Sequence, residues 1–489
     1  MHTSDLLPVA IGSDLSLLLP EGVLLLTFII LALVGMISPK AQATPRVLAG
    51  LGIVISTIME ISSRLTTPLN TPLMGDQLQI DGIASLGCVT VNILALMLIV
   101  MHAISPKKLI HTKPEYLLLL LTSVLGMHFM LLAQQWIVLY VAMEMVSISS
   151  YVWVAWRKTD RQASQAALKY VLFGAFSSAI MIYAISWWYG LTGSLVFAPT
   201  WPLDVQVSPL PIAIIQCTML AGLLFKVSAV PFHFWTPDTY AGAPYPVAGF
   251  LATASKLSAL AVLAKLMIAW EAYPSFSEVQ RFVGIIAILS LVFGTTAAIW
   301  QPEIKRLLAW SGITQSGFML AILAVQTTDH LAAFWFYAIT YAWATMIAFG
   351  LADRLTGPGK EDLLSLLAGK VKTERALGIG LVILLVSLAG LPPTIGFMAK
   401  WYLFLALVEA ADPFSVSLLV TCALATVIGF VYYLKPAREM VFRKSMQPPV
   451  DQTSSVPAGL IVGMCVIPVL IFGVWGFDRW IAWLGFLWN

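Results

Sequence analysis

Two lysines sit beside proline breaks in long apolar runs: Lys226 in LLFKVSAVPFHFWTPDTY, ahead of Pro231 and Pro237, and Lys400 in GLPPTIGFMAKWYLF, after Pro392 and Pro393. Lys256 in ATASK and Lys169 in AALKY also fall inside apolar stretches, and Glu144 in LYVAMEMVSISSYVW is an acid alone in the middle of one. Such charges cost about 2.5–3.5 kcal/mol each at the centre of a bilayer, so they are expected to face a partner or a hydrated cavity. Burial disfavours a charged lysine and a nearby carboxylate favours it. A lysine whose carboxylate partner is moved away therefore becomes a proton donor, a switch that another part of an assembly could drive. We hypothesise this behaviour for Glu144 and a buried lysine; proton transport that survives both Glu144→Ala and Lys226→Ala would rule it out. Lys265, nearer the end of its run, is also compatible with snorkelling to the interface. His233 is of a type that titrates near neutral pH and relays protons, here toward Lys256, but an ordinary structural hydrogen bond explains it equally.

The elements that must hold these residues are membrane helices. The 489 residues are 59% hydrophobic and 10% charged, with a mean hydropathy of +0.89, outside the range of soluble domains. A hydrocarbon core of roughly 30 Å takes about 20 residues of helix, and the chain has about fourteen runs of that kind. Their expected limits are 17–37, 46–63, 82–103, 115–133, 136–156, 164–188, 209–240, 246–270, 282–300, 305–326, 330–353, 376–408, 414–434 and 457–485. The N-terminus lacks a basic start and a small-residue cleavage site, so the first span is expected to be retained. Of the 27 Lys and Arg, nineteen fall in loops after spans one, three, five, nine, eleven and thirteen, whereas Arg64, Arg281 and Arg479 lie on the other side. The positive-inside rule then puts both termini on the non-cytoplasmic face.

The run 209–240 is about 32 residues long, too long for one plain span. Proline removes a helical hydrogen bond, and at bilayer depth the freed backbone is tolerated only in protein or beside a hydrated cavity. The run 376–408 repeats the design five spans later. Because five is odd, spans four to eight and nine to thirteen read as inverted repeats, and matching broken segments point to a transporter's functional centre. The expected fold is an all-α polytopic membrane protein of about fourteen helices with two inverted five-helix repeats, each holding a proline-broken helix. Its expected parts are residues 1–112, an N-terminal three-helix segment; 113–272 and 273–436, the two repeats with their half-channels; and 437–489, a loop and last helix.

No GxGxxG, GxxxxGK[ST] or HExxH motif occurs, so nucleotide, flavin and zinc chemistry has no visible place. Cys88, Cys217, Cys422 and Cys465 are scattered singly, which argues against a disulfide framework or an iron-sulfur cluster and for packing thiols. The six histidines form no pair at ligand spacing on one span. No cofactor and no metal is expected in the chain, so any redox reaction belongs to a partner.

These residues resemble the antiporter-like membrane subunits of the proton-pumping NADH-quinone oxidoreductase, respiratory complex I, from about the third span to the thirteenth. The N-type subunits are the most similar, through FHFWTPDTYAGAPYPV, AALKYVLFGAFSSAI and GLPPTIGFMAKWYLF. M-type subunits usually carry Glu at the position of Lys400, and L-type subunits have a long C-terminal extension with a lateral helix. The chain departs from the family at Ala241, often Glu, and at Phe234. The resemblance implies that Glu144 and Lys226 form the charge pair of a first half-channel. Lys256 would be the central relay, Lys400 the residue of the second half-channel and Lys169 an auxiliary in-membrane lysine. It implies a subunit of a proton-translocating oxidoreductase with no redox chemistry of its own. The implied partners are other membrane subunits and a peripheral arm with flavin mononucleotide (FMN) and iron-sulfur clusters, with NADH and quinone as substrates of the whole. A bacterial inner membrane is the expected location. A multisubunit cation/proton antiporter, or a related hydrogenase or photosynthetic complex, remains open as an alternative.

Overall fold

The structure is a computed structural model that describes residues 14–37, 44–66, 68, 70–105, 113–157, 159–199, 208–325, 330–357, 362–444, 463 and 466–471. The expected fourteenth span, 457–485, lies almost entirely outside them. The N-terminal part comprises α1 (Leu19–Ile37), α2 (Thr44–Thr66), α3 (Gly82–Ile104) and α4 (Pro114–Leu132), with a short antiparallel hairpin, β1 (Thr71–Leu73) and β2 (Leu78–Ile80), between α2 and α3. This hairpin was not expected from an all-α reading. Then follow α5 (Trp136–Val154), α6 (Arg161–Thr192), the short helices α7 (Pro209–Met219), α8 (Ala221–Val227) and α9 (Thr236–Gly242), and α10 (Tyr245–Phe250), which continues through a π-turn, Leu251–Ser255, into α11 (Lys256–Ala269). The remaining helices are α12 (Phe276–Ile299), α13 (Ile304–Ala324), α14 (Leu331–Thr356), α15 (Lys370–Thr373), α16 (Arg375–Ala389), α17 (Ile395–Glu409) and α18 (Pro413–Phe442).

Among the described residues, 11 helices are long and apolar enough to cross a membrane, or 12 if the bent pair α7 and α8 is one span. The chain is a multi-pass membrane protein. Helix ends follow local chemistry: Asp81 and Asp160 accept backbone N–H bonds at the starts of α3 and α6, and Asp412 and Ser415 form a reciprocal capping box on α18. These side chains satisfy amides that a helix cannot pair internally.

Both long runs break as the prolines require, although not at the prolines themselves. In the first, the axis bends by 40° between α7 and α8, and α8 then ends at Val227, with Ser228 left-handed at φ 62°. Helices tend to stop before the residue that precedes a proline. In the second, α16 ends at Ala389, Gly390 is left-handed at φ 88°, and α17 starts after Pro392 and Pro393. Val230–Pro231 and Pro392–Pro393 are cis.

Burial shows where the centre lies. In the most apolar stretch of Tyr245–Ala269, 100% of residues are buried, and in Ile304–Ala324 94%, against 28% in each of Leu19–Ile37 and Pro413–Phe442. Lys256 therefore lies on a span enclosed by protein, and α13 is the enclosed helix beside it.

Candidate functional site

Lys226 is in the last turn of α8 and is 1% exposed. Among the described residues its ammonium has no hydrogen-bond partner. Backbone and indole donors instead satisfy the open end of α8: Ala229 N–H donates to Leu224 O at 2.9 Å, and Phe225 O accepts from Ser228 N–H at 3.0 Å and from Trp235 Nε1 at 3.2 Å. Glu144, midway along α5, is half-buried and accepts a hydrogen bond from Ser178 of α6. Among the described residues no ion pair or hydrogen bond joins it to Lys226.

Lys256 is fully buried at the junction of the π-turn and α11. Its ammonium donates to Gly312 O at 3.1 Å and reaches Ser316 Oγ at 3.4 Å, both on α13. A methyl group on Gly312 would stand 3.3 Å from that ammonium and 3.0 Å from the Tyr341 hydroxyl, so glycine leaves room for both beside α13. Ser316 Oγ lies 2.8 Å from Val227 O and 2.9 Å from Gly312 O, either of which can take its single proton. The hydroxyl thereby connects the residue next to Lys226 with Lys256.

One residue before Ser316, Gln315 turns to the second break. Its amide donates to Leu388 O and to the Tyr433 hydroxyl, both at 3.2 Å, and accepts from Tyr337 at 2.6 Å. Leu388 precedes Ala389, whose carbonyl accepts from Lys400 Nζ at 2.7 Å. Lys400 is 4% exposed, and its ammonium also lies 5.0 Å from the centre of the Phe318 ring, within cation–π range. The segment GITQSG of α13 thus touches both helix breaks and Lys256. Two buried ammonium groups, those of Lys256 and Lys400, bond into a series of hydroxyls, amides and freed carbonyls that starts beside Lys226 at Val227 O, and these are group types that hand protons on directly or through bridging water.

The other expected residues lie off this line. Lys169 has a side chain 53% exposed and pairs with Asp238 of α9, which also pairs with Arg306 at 3.0 Å. His233 is 4% exposed among Phe234, Phe293 and Trp310, and no hydrogen bond joins it to Lys256. Lys265 does not snorkel. It is 6% exposed, pairs with Asp81 at 2.8 Å and donates to Leu131 O at 2.8 Å. Lys305, at the edge of the expected span 305–326 and one of the nineteen charges expected in loops, is instead enclosed by protein. It is 3% exposed, pairs with Asp362 at 2.8 Å and donates to Ala241 O and Ala243 O. Gln315 and Ser316 belong to GITQSG, whose polar side chains in the sequence look no different from those that merely satisfy helix carbonyls.

The chain is similar in sequence and fold to known proteins. Residues 133–428, more than half the chain, match the family described as NADH:quinone oxidoreductase/Mrp antiporter, TM. NADH-quinone oxidoreductase subunit N of Geobacillus sp. (strain WCH70) is 32% identical, over 93% of this chain and 95% of the relative. A chain of respiratory complex I from Thermus thermophilus, solved with bound aureothin, superposes with a TM-score of 0.78 at 28% identity, covering 93% of this chain and 97% of that one. A chain of the archaeal membrane-bound sulfane sulfur reductase gives a TM-score of 0.85 at 20% identity, over 97% and 96%, a likeness of fold alone.

Proposed function

This chain belongs to the NADH:quinone oxidoreductase/Mrp antiporter membrane family, and from that membership we infer that it is the N-type proton-translocating membrane subunit of a complex I. In this reading, NADH oxidation and quinone reduction occur in partner subunits, and the redox energy shifts charges along Glu144, Lys226, Lys256 and Lys400. Glu144 tunes Lys226 in a first half-channel, Lys256 relays at the centre, and Lys400 serves the second half-channel. The half-channels belong to two inverted repeats, 113–272 and 273–436, between the N-terminal segment 1–112 and the C-terminal part 437–489. Lys169 and His233 act as auxiliaries near the end of the first broken helix. Moving one charge against 100 mV takes about 2.3 kcal/mol, so the drive must come from the partners.

One observation carries this reading: GITQSG of α13 hydrogen-bonds both helix breaks and Lys256, so a charge shift at one break is felt at the other. FMN and the iron-sulfur clusters belong to the peripheral arm, NADH and quinone are substrates of the whole complex, and this chain carries no redox group. It lies in a bacterial inner membrane with both termini on the non-cytoplasmic side.

The test is a gentle-detergent pull-down of the tagged chain from its native membrane. NADH-dependent quinone reduction, flavin and iron-sulfur clusters are expected to co-purify. A chain that comes down with membrane partners alone and exchanges sodium for protons would contradict the assignment in favour of a multisubunit antiporter.

A further inference from the structure

A second buried polar cluster lies in the N-terminal helices, apart from the lysine line. Glu21 in the first turn of α1, Cys88 near the start of α3 and His128 near the end of α4 are 5%, 0% and 0% exposed. Their ligand atoms, a carboxylate oxygen, the thiol sulfur and an imidazole nitrogen, all lie within 4.8 Å of one another. The cluster draws on the helix ends that meet Asp81 and Lys265, which places it about a turn or two below one membrane face.

The hydrogen bonds around His128 orient it as a ligand. Asn92 points its amide nitrogen at Ser56 Oγ, 3.4 Å away, which leaves its carbonyl oxygen 3.2 Å from His128 Nε2. That nitrogen therefore carries the proton, and Nδ1 faces Glu21 Oε1 at 2.9 Å. Metal-bound histidines are held by just such an outer hydrogen bond. A dication held by one carboxylate, one thiolate and one neutral imidazole makes a site of zero net charge, which suits burial.

We propose that Glu21, Cys88 and His128 form a binding site for a zinc-type divalent cation, independent of the translocation line, with Asn92 as the positioning residue for His128. One oxygen, one sulfur and one nitrogen donor, with water as a fourth, is a set that zinc accepts.

The assembled complex is incubated with Zn2+ in membranes, extracted and gel-filtered, and its zinc is counted. Wild type is expected to retain one more zinc per chain than Cys88→Ser or His128→Gln. Cys217→Ser, a thiol outside the cluster, should match wild type. Asn92→Ala should weaken zinc binding by about 10- to 100-fold. Equal retention by wild type and both ligand variants overturns the proposal, as does an equal loss in Cys217→Ser. Should the ligand variants fail to assemble, the difference spectrum on adding Co2+ to wild type decides: a thiolate-to-cobalt charge-transfer band is expected, and its absence overturns the site.

Discussion

The two helix breaks place their lysines on opposite sides of the gap. Lys226 precedes its break, in the last turn of α8, where backbone and indole donors already satisfy open carbonyls and its ammonium has no hydrogen bond among the described residues. Lys400 follows its break, on α17, and reaches back to the last carbonyl of α16 at 2.7 Å. It therefore places a cation at the negative end of a helix dipole. The first lysine has no hydrogen-bond partner among the described residues, whereas the second has an aromatic ring and a carbonyl. One break thus presents a buried ammonium that bonds to nothing described, and the other an ammonium that also holds the break together.

That contrast can be broken by paired substitutions. The largest effect is expected for Lys226→Met, which should lower NADH-driven proton flux by at least ~10-fold while leaving the thermal stability of the complex unchanged or raised, since a buried charge without a hydrogen bond is removed. Lys400→Met should lower flux as well, and in addition cost about 1–3 kcal/mol by leaving the Ala389 carbonyl unpaired. Thermal unfolding of both variants separates the two; equal destabilisation would erase the distinction.

Gly390→Ala sharpens it further. Gly390 has φ 88°, and a methyl there would stand 2.8 Å from Lys400 Cδ. The left-handed conformation costs a side chain roughly 1–2 kcal/mol, so the variant should unfold at lower temperature and pump less. An unchanged melting temperature would show that the break tolerates rearrangement.

The smallest effect is expected for Lys169→Ala. Its ion pair with Asp238 is half-exposed, and such pairs contribute about 0–1 kcal/mol. Flux within about twofold of wild type is expected, and a loss as large as that of Lys226→Met would return Lys169 to the central line.

Much of this was legible in the sequence because lipid is an unforgiving solvent. Apolar length marked the spans, and prolines at depth marked both breaks, with Lys226, Lys256 and Lys400 buried as their cost demanded. What stayed hidden depends on contacts between distant segments. Lys305 reads as a loop charge until Asp362 and two loop carbonyls enclose it. Lys265 fits snorkelling and a buried partner equally until Asp81 meets it. Gln315 and Ser316 are ordinary polar residues until α13 lies between the two breaks. The trio Glu21, Cys88 and His128 comes from three helices, so no spacing rule could gather it. The π-turn before Lys256 also left no mark in a run read as regular helix.

The central claim is that Lys256 on its enclosed span joins the two breaks through α13. The most direct measurement is NADH-driven proton uptake by proteoliposomes that contain the complex with Lys256→Met, which keeps an unbranched side chain one atom shorter and removes the bonds to Gly312 and Ser316. Flux reduced at least ~10-fold in a fully assembled complex is the predicted result. Proton uptake at the wild-type rate would contradict the account.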